Sequence, residues 1–142
     1  MAFYYKIVGH KEYFFKKCMI ETKYLVKTFK NGDVETPVLK GIDFLVEDGA
    51  FVAIMGRSGA GKSTFLYQMS LLDEPTSGDV MVEGQSTREM TDAEEAAFRL
   101  RMFGYVFQDY ALLPDLTALE NVALPLLMQN KGRRTAYAQA MG

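Results

Sequence analysis

One short stretch limits this chain's folding choices more than any other: Gly56-Arg57-Ser58-Gly59-Ala60-Gly61-Lys62-Ser63, with Thr64 directly behind it. The spacing is G-x-x-x-x-G-K-[ST], the pattern of a phosphate-binding loop. The run before it, Phe51-Val52-Ala53-Ile54-Met55, is apolar and reads as a buried strand. The run after it, Thr64 to Met69, has few breakers and reads as a helix ending near Leu72. Glycines let the backbone fold back so that several N–H groups converge on one anion. The start of the following helix adds positive dipole at the same spot. Lys62 supplies a full charge for β- and γ-phosphates, and the Ser63 hydroxyl suits Mg²⁺. The competing reading is a glycine-rich turn that binds nothing.

Composition narrows the remaining possibilities. A chain of 142 residues with 49% hydrophobic content can bury a core and is one domain or part of one. A net charge of −2 with mixed signs gives no electrostatic case for nucleic acid. Cys18 is the one cysteine, which excludes an internal disulfide and fits a reducing compartment. His10 is the one histidine, so no His/Cys metal cluster can form. No apolar run approaches the roughly 20 residues of a membrane span. Lysines interrupt the aromatic N-terminus, so no signal-peptide core forms. A cytoplasmic protein that meets a membrane through a partner is expected.

Met1–Cys18 mixes lysines with Phe3, Tyr4, Tyr5, Tyr13, Phe14 and Phe15. It reads as an irregular extension, with a membrane- or partner-binding arm as the alternative. Residues 19–142 form the organised part. Ile20–Phe29 alternates imperfectly and predicts a strand, Lys30–Asp33 a turn, and Val38–Val46 a second strand. An antiparallel sheet leading into the loop's strand follows. Asp73-Glu74-Pro75-Thr76-Ser77-Gly78 predicts a turn with both acids solvated. These acids resemble a metal-holding strand end, but about ten helical residues put them ~15 Å from the phosphate site. Val80–Val82 predicts a short strand. Thr91 and Glu94 have capping-box spacing ahead of a helix through Leu100. Phe103–Phe107 predicts a further core strand that delivers Gln108 and Asp109 to its C-terminal end, where ligands sit in open α/β sheets. Thr117 and Glu120 form a second capping box ahead of a helix that Pro125 breaks or kinks. Lys131–Arg134 is a basic turn before a last helix.

Taken with its surroundings, the loop resembles that of the ATP-binding cassette (ABC) transporter ATPases. The resemblance rests on Phe51–Gly56 leading into the loop, Leu72-Asp73-x-Pro75-Thr76-Ser77-Gly78, Tyr105-Val106-Phe107-Gln108, and Leu112-Leu113-Pro114-x-Leu116-Thr117-Ala118-Leu119-Glu120-Asn121-Val122. It extends over about Met19 to Gln129. It implies an α/β fold: a P-loop NTPase core of the ABC ATPase type with an N-terminal antiparallel β subdomain, truncated before the signature motif. It also implies roles. Gly56, Arg57, Ser58, Gly59, Ala60, Gly61, Lys62, Ser63 and Thr64 would cradle the ATP phosphates. Ser63 and Gln108 would ligate Mg²⁺, with Lys62 and Gln108 the catalytic pair. Phe29 falls where the family stacks an aromatic on adenine, although Tyr is commoner there and core packing is the alternative. Gln108 alone would otherwise be a solvated loop residue.

The resemblance further implies partners: a membrane permease received by the segment after Gln108, and a second ATPase subunit in a homodimer. The protein would then sit at the inner face of the cell membrane through the permease. Three family elements do not occur in these residues: the Leu-Ser-Gly-Gly-Gln signature, a strand ending in Asp-Glu, and a switch histidine, for which His10 is too early. The sequence is therefore expected to be the N-terminal portion of a longer ATPase that does not turn over alone. Two other functions stay open. One is a non-catalytic module occupying the permease groove through residues 110–129. The other is a soluble ABC ATPase of translation or DNA repair, against which the Leu112–Val122 run argues. The transported substrate is not written in these residues.

Overall fold

The computed structural model describes residues 18–142, so the expected extension lies, up to residue 17, outside the described residues. Cys18 already belongs to the first strand. The described residues divide into two compact units, one ending at Thr91 and one running from Asp92 to Gly142.

The first unit is built on an antiparallel sheet. Strand β1 (Cys18–Asn31) and β2 (Val34–Glu47) form a hairpin closed by Gly32 and Asp33, with β3 (Ser77–Val82) and β4 (Gln85–Ser86) on the other side. The spatial order is β2-β1-β3-β4. The sheet forms as the alternation implied, and β1 and β2 are longer at both ends.

The imperfect alternation of β1 has a local cause. Thr22 pairs with Phe44 and Leu25 with Ile42, so three steps on β1 match two on β2. The same extra residue appears against β3, where Lys23 pairs with Asp79 and Val26 with Ser77. This is a β-bulge, with Tyr24 at φ 46°. It flips the parity of the strand, so Thr22 and Leu25 are both buried. The Tyr24 amide donates to Asp43 Oδ1 at 2.6 Å, and the Thr22 hydroxyl donates to the Ile42 carbonyl at 2.9 Å. Gly78 sits against the bulge at φ 94°, where a Cβ would lie 2.7 Å from the Lys23 carbonyl oxygen. Only glycine fits both that torsion and that approach.

Helix α1 (Lys62–Met69) lies on this sheet. Phe65 meets Phe44 edge-on at 5.3 Å and 81°. Leu25, Leu39, Phe65, Met69, Leu71, Val80 and Val82 form the buried core. The helix starts two residues before Thr64 and ends at Met69 rather than near Leu72, because Leu71 turns left-handed at φ 58°.

Two expected strands do not form. Phe51–Met55 and Phe103–Phe107 have extended or irregular backbone with no ladder partner among the described residues. Phe51 is 82% and Met55 68% exposed, so the run is not buried either; Val52 and Ile54 are half-buried. An apolar, β-prone run supplies the preference for a strand, but the strand exists only when a neighbour pairs its N–H and C=O groups. Gln108 consequently follows no strand and is exposed in an irregular segment.

The second unit is helical: α2 (Asp92–Met102), α3 (Ala118–Met128) and α4 (Arg133–Ala140). Helix α2 has Asp92, Glu94 and Glu95 in its first turn and Arg99 and Arg101 in its last, matching the helix dipole at both ends. Helix α3 has the expected capping box: the Thr117 hydroxyl accepts from the Glu120 amide, and Glu120 reaches back to the Thr117 amide. Pro125 does not break it, and the Gln129 amide still bonds the Pro125 carbonyl at 3.1 Å. A proline so near the end forfeits one bond, to the Asn121 carbonyl, and the last turn continues. Helices α3 and α4 pack together, with Ala123 and Ala136 fully buried. The Asn121 amide group donates to the carbonyls of Leu113, Leu116 and Thr117, which shapes the preceding loop.

Candidate functional site

The eight-residue loop is folded back on itself. The Ala60 amide bonds the Arg57 carbonyl at 3.2 Å, and Gly59 and Gly61 both take positive φ, 76° and 85°. At Gly56 a Cβ would lie 3.5 Å from Ala60 Cβ and 3.8 Å from Lys62 Cδ, so the start and end of the loop are in contact. Gly61 is the N-cap of α1 in the left-handed conformation and offers no capping side chain. A Cβ there would strike Val38 of β2 at 2.9 Å, which explains why the turn is pressed so tightly on the sheet.

The first intrahelical bond of α1 is from the Phe65 amide to the Gly61 carbonyl, at 2.8 Å. The amides of Lys62, Ser63 and Thr64 precede it and have no acceptor within the helix. Lys62 curls back over the loop, its Nζ 3.0 Å from the Gly56 carbonyl oxygen and 2.9 Å from that of Arg57. Ser63 is exposed beside it. An ammonium, helix-start amides without a helical acceptor and an exposed hydroxyl therefore lie together at the start of α1. Such a donor set fits anionic phosphate oxygens, and the Ser63 hydroxyl is a suitable oxygen ligand for a hard cation. No carboxylate cluster able to hold a metal by itself exists among the described residues.

Phe29 lies on β1, paired with Thr36 of β2. Gly61 packs on Val38, two residues farther along β2, a step of about 7 Å along a strand. The ring is 45% exposed, so it is not a core residue. The first unit thus carries Phe29 and the loop from Gly56 to Thr64. Gln108 belongs to the second unit.

Sequence reasoning missed a cluster at the far end of α1. Glu74 is exposed as expected, but Asp73 is half-buried and paired. Its Oδ1 takes a 2.6 Å bond from Lys27 Nζ, and its Oδ2 a 2.8 Å bond from Nε2 of Gln68, which is fully buried. Both donors also reach the Glu74 carbonyl, at 2.6 and 3.2 Å. The turn forms over residues 73–76 and is shorter than expected, because Ser77 and Gly78 already belong to β3; it is pinned to β1 by the Thr76 amide on the Val26 carbonyl and by the Thr28 amide on the Thr76 hydroxyl. No local signal links Lys27 to Asp73 across 46 residues. The oddity of a Gln on the inner face of α1 was the nearest thing to one.

Comparison with known proteins places this geometry. The family model for ABC transporters matches residues 39–142. An uncharacterized ABC transporter ATP-binding protein of Methanocaldococcus jannaschii is 44% identical over 115 residues, covering 81% of this chain and 51% of that protein. The lipoprotein-releasing system ATP-binding protein LolD of Xanthomonas euvesicatoria is 44% identical over 123 residues, covering 87% of this chain and 50% of LolD. Among solved structures, a dimer of the ATP-binding cassette MJ0796 in a post-hydrolysis state, bound to ADP and Pi, matches with a TM-score of 0.80 at 39% identity. That match covers 87% of this chain and 54% of the cassette. The chain therefore spans about half the length of the relatives it matches.

Proposed function

This chain belongs to the ABC transporter ATP-binding family, and from that membership we propose that it binds Mg-ATP and supplies the phosphate-holding half of a transport ATPase. One observation carries the reading: Lys62 stands across the loop carbonyls at the start of a helix whose first amides have no helical acceptor. On nucleotide binding, Lys62 exchanges those carbonyls for β- and γ-phosphate oxygens. The amides of Lys62, Ser63 and Thr64, which have no helical acceptor, would bond the remaining oxygens, and the Ser63 hydroxyl would ligate the metal. Phe29 offers its exposed ring to the adenine. Gln108 contributes its side-chain oxygen to the metal. When bound, Mg²⁺ neutralises charge that grows on the phosphate oxygens as water attacks the γ-phosphate in line. Lys62 would leave the loop carbonyls for those oxygens, and the helix-start amides, which have no helical acceptor, would join it in holding the developing charge.

A complete reaction draws on elements that do not occur in these residues: the signature sequence, the Asp-Glu strand and the switch histidine. By this reading the chain binds nucleotide and does not turn it over. A second cassette subunit and a membrane permease complete the working assembly. The dimeric structure of MJ0796 supports the first partner, and the LolD likeness the second. The permease would be received by the segment after Gln108, where Tyr110 is 94% and Leu112 64% exposed. No helix among the described residues is long and apolar enough to cross a membrane, so attachment at the inner membrane face would run through that partner.

The test is titration of the chain with a fluorescent ATP analogue and Mg²⁺. Saturable binding is expected, weakened roughly 10- to 100-fold by Lys62→Ala, the loss typical of hydrogen bonds from a charged donor. Phosphate release no faster than that of the variant is also expected. Equal binding by both proteins would overturn the site, and turnover abolished by Lys62→Ala would overturn the claim of inactivity.

A further inference from the structure

The cluster of Lys27, Gln68 and Asp73 joins two elements that the proposed site uses at different ends. Helix α1 begins at the phosphate loop and ends beside Gln68; β1 carries Lys27 and, two residues on, Phe29. The Asp73 carboxylate bridges them, one oxygen to each donor. Lys27 is 13% exposed, a depth at which a loose ammonium would be costly, and its two oxygen partners are both 2.6 Å away. The same ammonium lies over the Phe29 ring, 5.1 Å from its centroid. A cation at that place fixes the ring by attraction to its π face.

We propose that Lys27, held by Asp73, is a positioning residue that presents Phe29 as the platform for the nucleotide base and sets it against the phosphate loop through Gln68 and α1. The proposal rests on the reading of Phe29 and the loop as a nucleotide site. Lys27 touches no nucleotide; it acts through the ring. The cation covers one face, and the 45% of Phe29 left exposed is the surface a purine can use. The pair therefore governs how much the base adds to binding, beyond what the triphosphate contributes alone.

Affinity for ATP compared with affinity for inorganic triphosphate isolates that contribution, because a general loss of structure weakens both ligands together. Both are measured with Mg²⁺ on the 142-residue chain and on Lys27→Met, Lys27→Arg, Asp73→Asn, Phe29→Ala and Lys62→Ala. Lys27→Met and Asp73→Asn should lower the ATP-to-triphosphate ratio roughly 3- to 10-fold, the scale of a partly desolvated cation–π contact. Lys27→Arg, which keeps a cation over the ring, should restore most of it. Phe29→Ala should lower the ratio at least as far. A ratio unchanged in Lys27→Met while Phe29→Ala lowers it overturns the positioning role alone. A ratio unchanged in Phe29→Ala overturns the base platform. Triphosphate binding unaffected by Lys62→Ala overturns the site itself. If Lys27→Met does not fold, the Arg and Asn variants decide: a lowered ratio in Asp73→Asn with a near-normal one in Lys27→Arg supports the role, and any other pair of results overturns it.

Discussion

Gly78 has to satisfy two demands at once. Its φ of 94° is strained for any residue with a side chain, and a Cβ would also lie 2.7 Å from the Lys23 carbonyl oxygen and 2.8 Å from Leu25 Cα. The neighbours are backbone atoms of the β1 bulge and cannot rotate away. Gly78→Ala should therefore cost roughly 2–5 kcal/mol, the sum of left-handed strain and overpacking. Gly84 is the internal control. Its φ is 81°, but nothing lies within 4 Å of a Cβ there, so Gly84→Ala should cost only about 1–2 kcal/mol of strain. Urea unfolding of the two variants checks the difference, and equal losses would mean the bulge yields. A turn ahead of β3 was legible from Asp73 to Thr76, since Pro and Thr favour turns by local chemistry, but Ser77 and Gly78 already belong to the strand. The crowding at Gly78 was not legible, because the bulge at Tyr24 depends on pairing with two other strands. Lys27 and Asp73 were illegible for the same reason: each looks like a solvated charge until the fold brings them together.

Among the elements, the helices that close their own hydrogen bonds were readable, and of the strand-like runs only those with a paired neighbour, β1 to β3, became strands. Helix α3 announces itself through Thr117 and Glu120, whose box is complete within four residues. Phe51–Met55 and Phe103–Phe107 have the composition of strands, yet a ladder belongs to the neighbours and none pairs with them. The box also makes a prediction about pH. The Thr117 hydroxyl first, and then its backbone N–H, bond the Glu120 carboxylate and hold its pKa below the ordinary 4.5. A carboxylate held down in the folded state adds stability above the unfolded value. That stability is lost as pH falls through the lower, folded value. Thr117→Val keeps the N–H and removes the hydroxyl. The Glu120 pKa should rise toward 4.5, and fraying of α3 in acid should begin at higher pH. Carboxyl-carbon NMR titration reads the first and helical circular dichroism the second. An unmoved pKa would mean the backbone N–H alone holds the charge.

At the scale of the whole molecule, the proposed nucleotide ligands are split between the two units. Phe29 and the residues from Gly56 to Thr64 lie in the first, Gln108 in the second. The phosphate-loop pattern was legible because its residues are consecutive in the chain. The role of Gln108 was carried by resemblance, and the strand meant to deliver it does not form. Amide hydrogen exchange can separate these two parts of the site. A bound ligand slows any opening that must release it by about the ratio of ligand concentration to Kd, so roughly tenfold at ten times Kd. ATP with a chelator should slow exchange at residues 58–65, where the proposed phosphate-holding amides lie. Only Mg-ATP should also slow residues 105–110 if, as proposed, Gln108 reaches the nucleotide through the metal. Protection confined to the loop under both conditions would remove Gln108 from the ligand set of this chain and leave the loop's role intact. Protection of residues 105–110 without metal would mean that the segment closes on the nucleotide itself, and the glutamine's task would then be contact with phosphate and not with Mg²⁺.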